Sequence, residues 1–181
     1  EQTYSHQMKI LPARAAVYAA FIVAASSMLA NAGAWSVKDA AGRTIEIADV
    51  SRIVTIGGAV TEIVYALGFG DRVVAVDITS TFPATVKSKA SVGYMRTLSP
   101  EGVLSLAPKI VLAIEGSGPP DAVEVLSRAS VPFAIVPEGY DEASVLRKVR
   151  FIAQALGVPE KGEAMAKQIA EDFAALTAMR G

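Results

Sequence analysis

The apolar and polar positions of this chain change period repeatedly. Val37 to Ile47 holds two short alternating runs around Asp39-Ala40-Ala41-Gly42, a pattern that predicts a β-hairpin. A regular alternation follows. The β-branched run Arg52–Ile56 reads as a strand closed by Gly57-Gly58. Thr61–Leu67 reads as a helix, with Glu62 in its first turn and Gly68 as its stop. Arg72–Val76 is a second strand, and residues 77–98 are expected to form a long irregular connection. Ser99-Pro100-Glu101 opens a short helix through Leu106, with Ser99 as N-cap and Pro100 at the first helical position. Lys109–Ile114 is a third strand, Pro119–Ala129 a helix, Phe133–Val136 a fourth strand and Glu142–Leu156 another helix. Glu160–Met179 then runs as one uninterrupted helix with apolar positions at Ala164, Ile169, Phe173 and Leu176.

Strands that alternate with helices and read as continuous apolar runs indicate an α/β fold, a parallel sheet flanked by helices on both faces. Ligands of such sheets sit beyond the carboxyl ends of the strands. Those ends are Gly57-Gly58, the 77–98 connection, Glu115–Pro120 and Pro137–Tyr140. The 77–98 connection is the outlier in length, and long structureless connections in compact domains are commonly binding loops.

The front of the chain has a different character. Met8-Lys9-Ile10-Leu11-Pro12-Ala13-Arg14 precedes the apolar run Ala15–Ala25 and then Ser26–Ala32, which ends in Ala30-Asn31-Ala32. Cations, an apolar stretch and an Ala-x-Ala site are the three parts of a secretory signal, so residues 8–32 are expected to be a signal peptide cleaved after Ala32 or Ala34. The apolar part is shorter than the roughly 18–20 residues of a membrane span. With no cysteine in the sequence, the exported chain is not expected to be a lipoprotein. It is expected in the periplasm.

Composition narrows the chemistry. With 52% hydrophobic and 19% charged residues, the chain is suited to a packed core. The net charge is -1 and no basic stripe is present, which sets nucleic acid aside. The absence of cysteine removes disulfides and thiolate sites. The single histidine is His6, upstream of Met8, so a Ser-His-Asp or Cys-His mechanism has no base in the body of the chain. Gly116-Ser117-Gly118-Pro119-Pro120 follows a strand and opens a helix but lacks the Lys and Ser/Thr of a P-loop, and reads as a shaped turn. An enzyme is not the expectation, although a stand-alone α/β enzyme domain is a competing class.

Three stretches carry a family resemblance. They are Arg52 to Gly68 (RIVTIGGAVTEIVYALG), Val92 to Leu106 (VGYMRTLSPEGVLSL) and Glu115 to Pro120 (EGSGPP). The first resembles the opening of the helical-backbone class of binding proteins that serve importers of cobalamin, siderophores and haem. The second and third are similar to the periplasmic haem-binding proteins of bacterial haem ABC importers. The resemblance implies two α/β lobes joined by a long helix, with the ligand clamped between them. On that pattern residues 36–156 are the N-terminal lobe and 159–181 the start of the inter-lobe helix, with the second lobe not in this sequence.

The resemblance also implies site residues. Tyr94 matches the iron-binding tyrosine, and haem iron can be held by His, Cys, Met or Tyr. A free phenol ionises near pH ~10, so binding as phenolate needs the metal and a nearby cation such as Arg96. Arg96 reads either as a solvated loop arginine or as a partner for a haem propionate, which a guanidinium fits in bidentate fashion. Met95 either packs on the porphyrin face or belongs to the core. Glu101 matches the carboxylate that docks on permease arginines, and as a plain structural feature it is favourable charge at a helix N-terminus. Tyr65 is expected to be core packing and Tyr140 a loop position on the cleft rim. The implied function is haem capture and delivery, as a monomer, to an inner-membrane ABC permease with its ATPase. The alternatives are cobalamin or a ferric siderophore as cargo, or a truncated fragment that does not bind.

Overall fold

The computed structural model describes residues 33–179. The expected signal peptide, 8–32, lies outside the described residues. Five parallel strands form the central sheet: β3 (Ile53–Ile56), β4 (Val73–Val76), β5 (Ala90–Ser91), β6 (Ile110–Ile114) and β7 (Phe133–Val136), in the order β5-β4-β3-β6-β7. A separate antiparallel hairpin, β1 (Trp35–Lys38) and β2 (Thr44–Ile47), precedes it. The helices are α1 (Gly58–Ala66), α2 (Pro100–Leu104), α3 (Pro120–Arg128), α4 (Glu142–Ala155) and α5 (Pro159–Ala178).

The central strands are apolar throughout because both of their faces are covered. Every residue of β3 and β6 is buried. Alternate residues divide between two apolar layers, as strand pleating requires. Ile53, Ile110 and Leu112 join Val60 and Val64 of α1 and Phe151 and Ile152 of α4. Val54, Val111 and Ala113 face the other way, towards Val103 of α2 and Ala122 and Leu126 of α3. Parallel pairing runs in register from Ile53↔Ile110 to Ile56↔Ala113 and from Val111↔Phe133 to Ile114↔Val136. All four expected strands of the sheet are therefore present.

β7 is an edge strand, and its open side is covered by the hairpin turn. The Asp39 carboxylate accepts hydrogen bonds from the Ala41, Arg43 and Ile135 amides, and Ala40 N–H donates to the Ile135 carbonyl. Arg43 pairs with Asp39 and also donates to the Phe133 carbonyl. A covered edge offers no unpaired backbone to another chain.

Three features differ from the sequence reading. The helix expected from Thr61 begins at Gly58, so Glu62 lies beyond its first turn. The helix expected through Leu106 ends at Leu104, where Ala107 takes a left-handed φ of 47°. The 77–98 connection is not wholly irregular: it holds a 3-10 turn at Ala84–Ser88 and the two-residue strand β5. Both β5 residues are exposed, so no apolar run marked them. Ser99 caps α2 as expected, its hydroxyl accepting from the Gly102 amide at 3.1 Å, and Asp141 does the same for α4.

Candidate functional site

The carboxyl ends of the five strands put Gly57-Gly58, Asp77–Thr81, Gly93–Thr97, Glu115–Pro119 and Pro137–Tyr140 on one edge of the sheet. Tyr94 stands at this edge, in the segment that leaves β5. It opens a turn in which the Thr97 amide donates to the Tyr94 carbonyl at 2.9 Å. Both flanks of the turn are braced. Before it, Val92 N–H donates to Val76 O and Ile78 N–H donates to Gly93 O, at 3.0 and 2.9 Å. After it, Gly118 N–H donates to Met95 O and Leu98 N–H to Gly118 O, both at 2.9 Å. The turn after β6 thus braces the loop after β5, and the Gly116–Pro120 segment serves as that support.

This bracing sorts the side chains of the turn. Tyr94 and Arg96 are exposed, while Met95 between them is half-buried and packs against both apolar layers. Among the described residues, neither the Tyr94 hydroxyl nor the Arg96 guanidinium has a hydrogen-bond or ion-pair partner. Tyr65 is elsewhere. Its ring packs on the core beside Gly70, and its hydroxyl is enclosed without a partner. Tyr140 lies on the edge at 99% exposure. Glu101 is exposed on the first turn of α2, where it accepts from the Ser99 hydroxyl at 3.2 Å.

Two groups on this edge escape a reading of the sequence alone. One is apolar: Ile78 and Phe82 are 62% and 64% exposed, both in the loop that contains Tyr94. Large apolar side chains left open on the same loop as a polar aromatic are the kind of groups that ligand sites use. The other is a buried polar network. Asp77 is fully buried, and its carboxylate accepts from the Gly57 amide (2.9 Å), the Ser80 hydroxyl (3.0 Å) and the Thr79 amide and hydroxyl (3.2 and 2.8 Å). The Thr61 hydroxyl lies 2.7 Å from those of both Ser80 and Thr55, and Gly58 N–H donates to the Thr79 hydroxyl. Its one sequence signal is the polar cluster Asp77-Ile78-Thr79-Ser80-Thr81 at a strand end.

Glycine is required where this network meets α1. A Cβ on Gly57, which has φ 107°, would sit 2.8 Å from the Ile114 side chain, and one on Gly58 would sit 2.8 Å from the Thr79 carbonyl. The far end of the edge is built from charge. Lys148 of α4, nearly buried, donates to Glu138 at 2.6 Å, and the Glu138 amide donates to Glu115 at 3.1 Å. Burial opposes ionisation of Glu138, but the Lys148 hydrogen bond, the Gly139 amide and the Lys148 charge outweigh it and hold its carboxyl below the ordinary range. Among the described residues, no three His, Cys, Asp or Glu side chains gather as a metal site.

Comparison with known proteins agrees with this architecture. A family model described as periplasmic binding protein matches residues 53–179. The solved structure of the periplasmic heme-binding protein RhuT from Roseiflexus sp. RS-1, in apo form, is 42% identical with a TM-score of 0.67, over 70% of this chain and 49% of that one. An uncharacterized ABC transporter substrate-binding lipoprotein of Bacillus subtilis, YvrC, is 33% identical over 76% of this chain and 45% of its own length. A vitamin B12-binding protein of Vibrio parahaemolyticus is 28% identical over 71% and 46%. The chain spans about half the length of the relatives it matches.

Proposed function

This chain belongs to the periplasmic binding protein family, and from that premise we propose that it is the N-terminal lobe of a haem-capturing protein. Its role is to take up ferric haem in the periplasm and deliver it to an inner-membrane ABC permease driven by its ATPase. It carries no catalytic step of its own. The leader at 8–32 would direct export, and cleavage would leave the chain without a lipid anchor.

The observation that carries this reading is the braced turn that leaves Tyr94 exposed at the sheet's carboxyl edge, on the same loop as exposed Ile78 and Phe82. Ferric iron is a hard cation and favours an anionic oxygen, which a tyrosine supplies. Tyr94 would hold a ferric ion through its oxygen, and Arg96, two residues on, would supply a positive charge that favours the phenolate. Arg96 is also free to meet a propionate. Met95 packs inward and supports the turn, and Glu101 offers a carboxylate for permease docking on an exposed helix start. The second lobe would close over the opposite face of the porphyrin.

The test is a ferric-haem titration of the chain, alone and joined to a second lobe, with Tyr94→Ala beside it. A haem absorption band that shifts on binding and disappears in Tyr94→Ala is the expected result. Similarity to a vitamin B12-binding protein favours cobalamin as the second reading. An unchanged haem band in Tyr94→Ala together with tight cobalamin binding would establish it instead.

A further inference from the structure

We infer that Asp77 is a positioning residue for the candidate ligand site, holding the Tyr94 turn at the height the cargo requires; the inference rests on the haem reading above.

Asp77 is fully buried and ionisable, yet among the described residues no cation pairs with it. Its donors are neutral: two amides and two hydroxyls. Such an arrangement stabilises less than a packed apolar side chain would, because the desolvation of the carboxylate must be offset by every donor. What a fully satisfied polar network does supply is a single geometry.

That geometry is transmitted directly to the site. The two residues that flank Asp77 make the two hydrogen bonds in front of Tyr94: Val76 O receives the Val92 amide, and Ile78 N–H reaches Gly93 O. Asp77 therefore lies between the two points from which the β5 exit is suspended. Its carboxylate ties those points to Gly57 at the end of β3, while Thr79 and Ser80 tie the same loop to Gly58 and Thr61 of α1. The backbone of Ile78 is thereby fixed, and so is the exposed apolar side chain it presents beside Tyr94. Rotation of Asp77 out of the network would release Ile78 and Tyr94 together.

The test pairs Asp77→Asn with Ile47→Val, a core change in the hairpin that lowers stability away from the loop. Two readouts are taken on the full chain. Amide hydrogen exchange at Ile78 needs no ligand and is expected to rise about tenfold in Asp77→Asn beyond any global change, and not in Ile47→Val. Ferric-haem affinity is expected to fall about tenfold in Asp77→Asn, with a displaced absorption band, since small misplacement of a binding group is costly. Ile47→Val should keep the wild-type band. If Asp77→Asn does not fold, Thr79→Val removes one hydroxyl of the network and should move both readouts in the same direction by less.

Unchanged Ile78 exchange overturns the inference, and so does faster exchange with wild-type haem affinity and band. A wild-type chain that shows no haem band in either form refutes the haem reading alone, while the exchange readout still decides whether Asp77 positions the turn.

Discussion

The two ends of the sheet's carboxyl edge solve the same problem with opposite chemistry. At the β4–β5 end a loop is anchored by a sealed carboxylate surrounded by neutral donors. At the β7 end a loop is anchored by an ion pair, Lys148 with Glu138, that is still partly open to water. Neutral donors at fixed distances specify position and are not screened by salt. An ion pair is more tolerant of position and responds to pH and to screening. The end anchored by neutral donors is the one that carries Tyr94.

The comparison can be broken most severely at the close approach of α1 to the loop. Gly58→Ala gains little in helix propensity, because Gly58 is the first residue of α1. Its Cβ meets the Thr79 carbonyl, so the variant is expected to lose about 3 kcal/mol net in urea unfolding. A gain in stability would show that the contact is soft and the network loosely set. Next in size is Thr61→Val, which keeps the shape and removes the hydroxyl shared by Thr55 and Ser80. A loss of about 2 kcal/mol is expected, because the Thr55 hydroxyl is left buried without its partner.

The charged end should give the smallest effect and a different signature. Lys148→Met is expected to cost about 1 kcal/mol near neutral pH, since it strands a carboxylate that water still reaches. Glu138 is held below the ordinary glutamate value of 4.5, so the folded state releases this proton more readily than the unfolded one. Its contribution is complete above 4.5 and is lost as pH falls through the lower folded value. Protection of the Glu138 and Gly139 amides, measured against the intrinsic exchange rate at each pH, should therefore fall in acid in the wild type. In Lys148→Met it should be low already and lose that acid step. An acid step that survives intact would assign it to Asp141 or another carboxyl nearby.

The sequence disclosed what periodicity and residue type can disclose. Four buried strands announced themselves as apolar runs, Ser99-Pro100 marked the start of a helix, and the Gly-Tyr-Met-Arg stretch carried the family resemblance. β5 was invisible because its two exposed residues carry no pattern, and its pairing with Ala75 and Val76 is a tertiary fact. The early start of α1 was hidden by two glycines, which read as a stop when only local propensity is weighed. Asp77 was hidden for another reason. A carboxylate followed by hydroxyl residues at the end of a strand reads as a solvated loop, and only the folded chain brings Gly57 and Thr61 to it. The inward turn of Met95 likewise depends on packing from both layers.

Iron binding by the Tyr94 oxygen is the core of the proposed function. It is tested most directly by resonance Raman spectroscopy of the ferric-haem complex of the chain joined to a second lobe, in wild type and Tyr94→Phe. Phenylalanine keeps the ring and removes only the oxygen. Phenolate vibrations enhanced by an iron charge-transfer band are expected in the wild type and should be absent from Tyr94→Phe. Identical spectra from the two proteins, with haem bound in both, would contradict it.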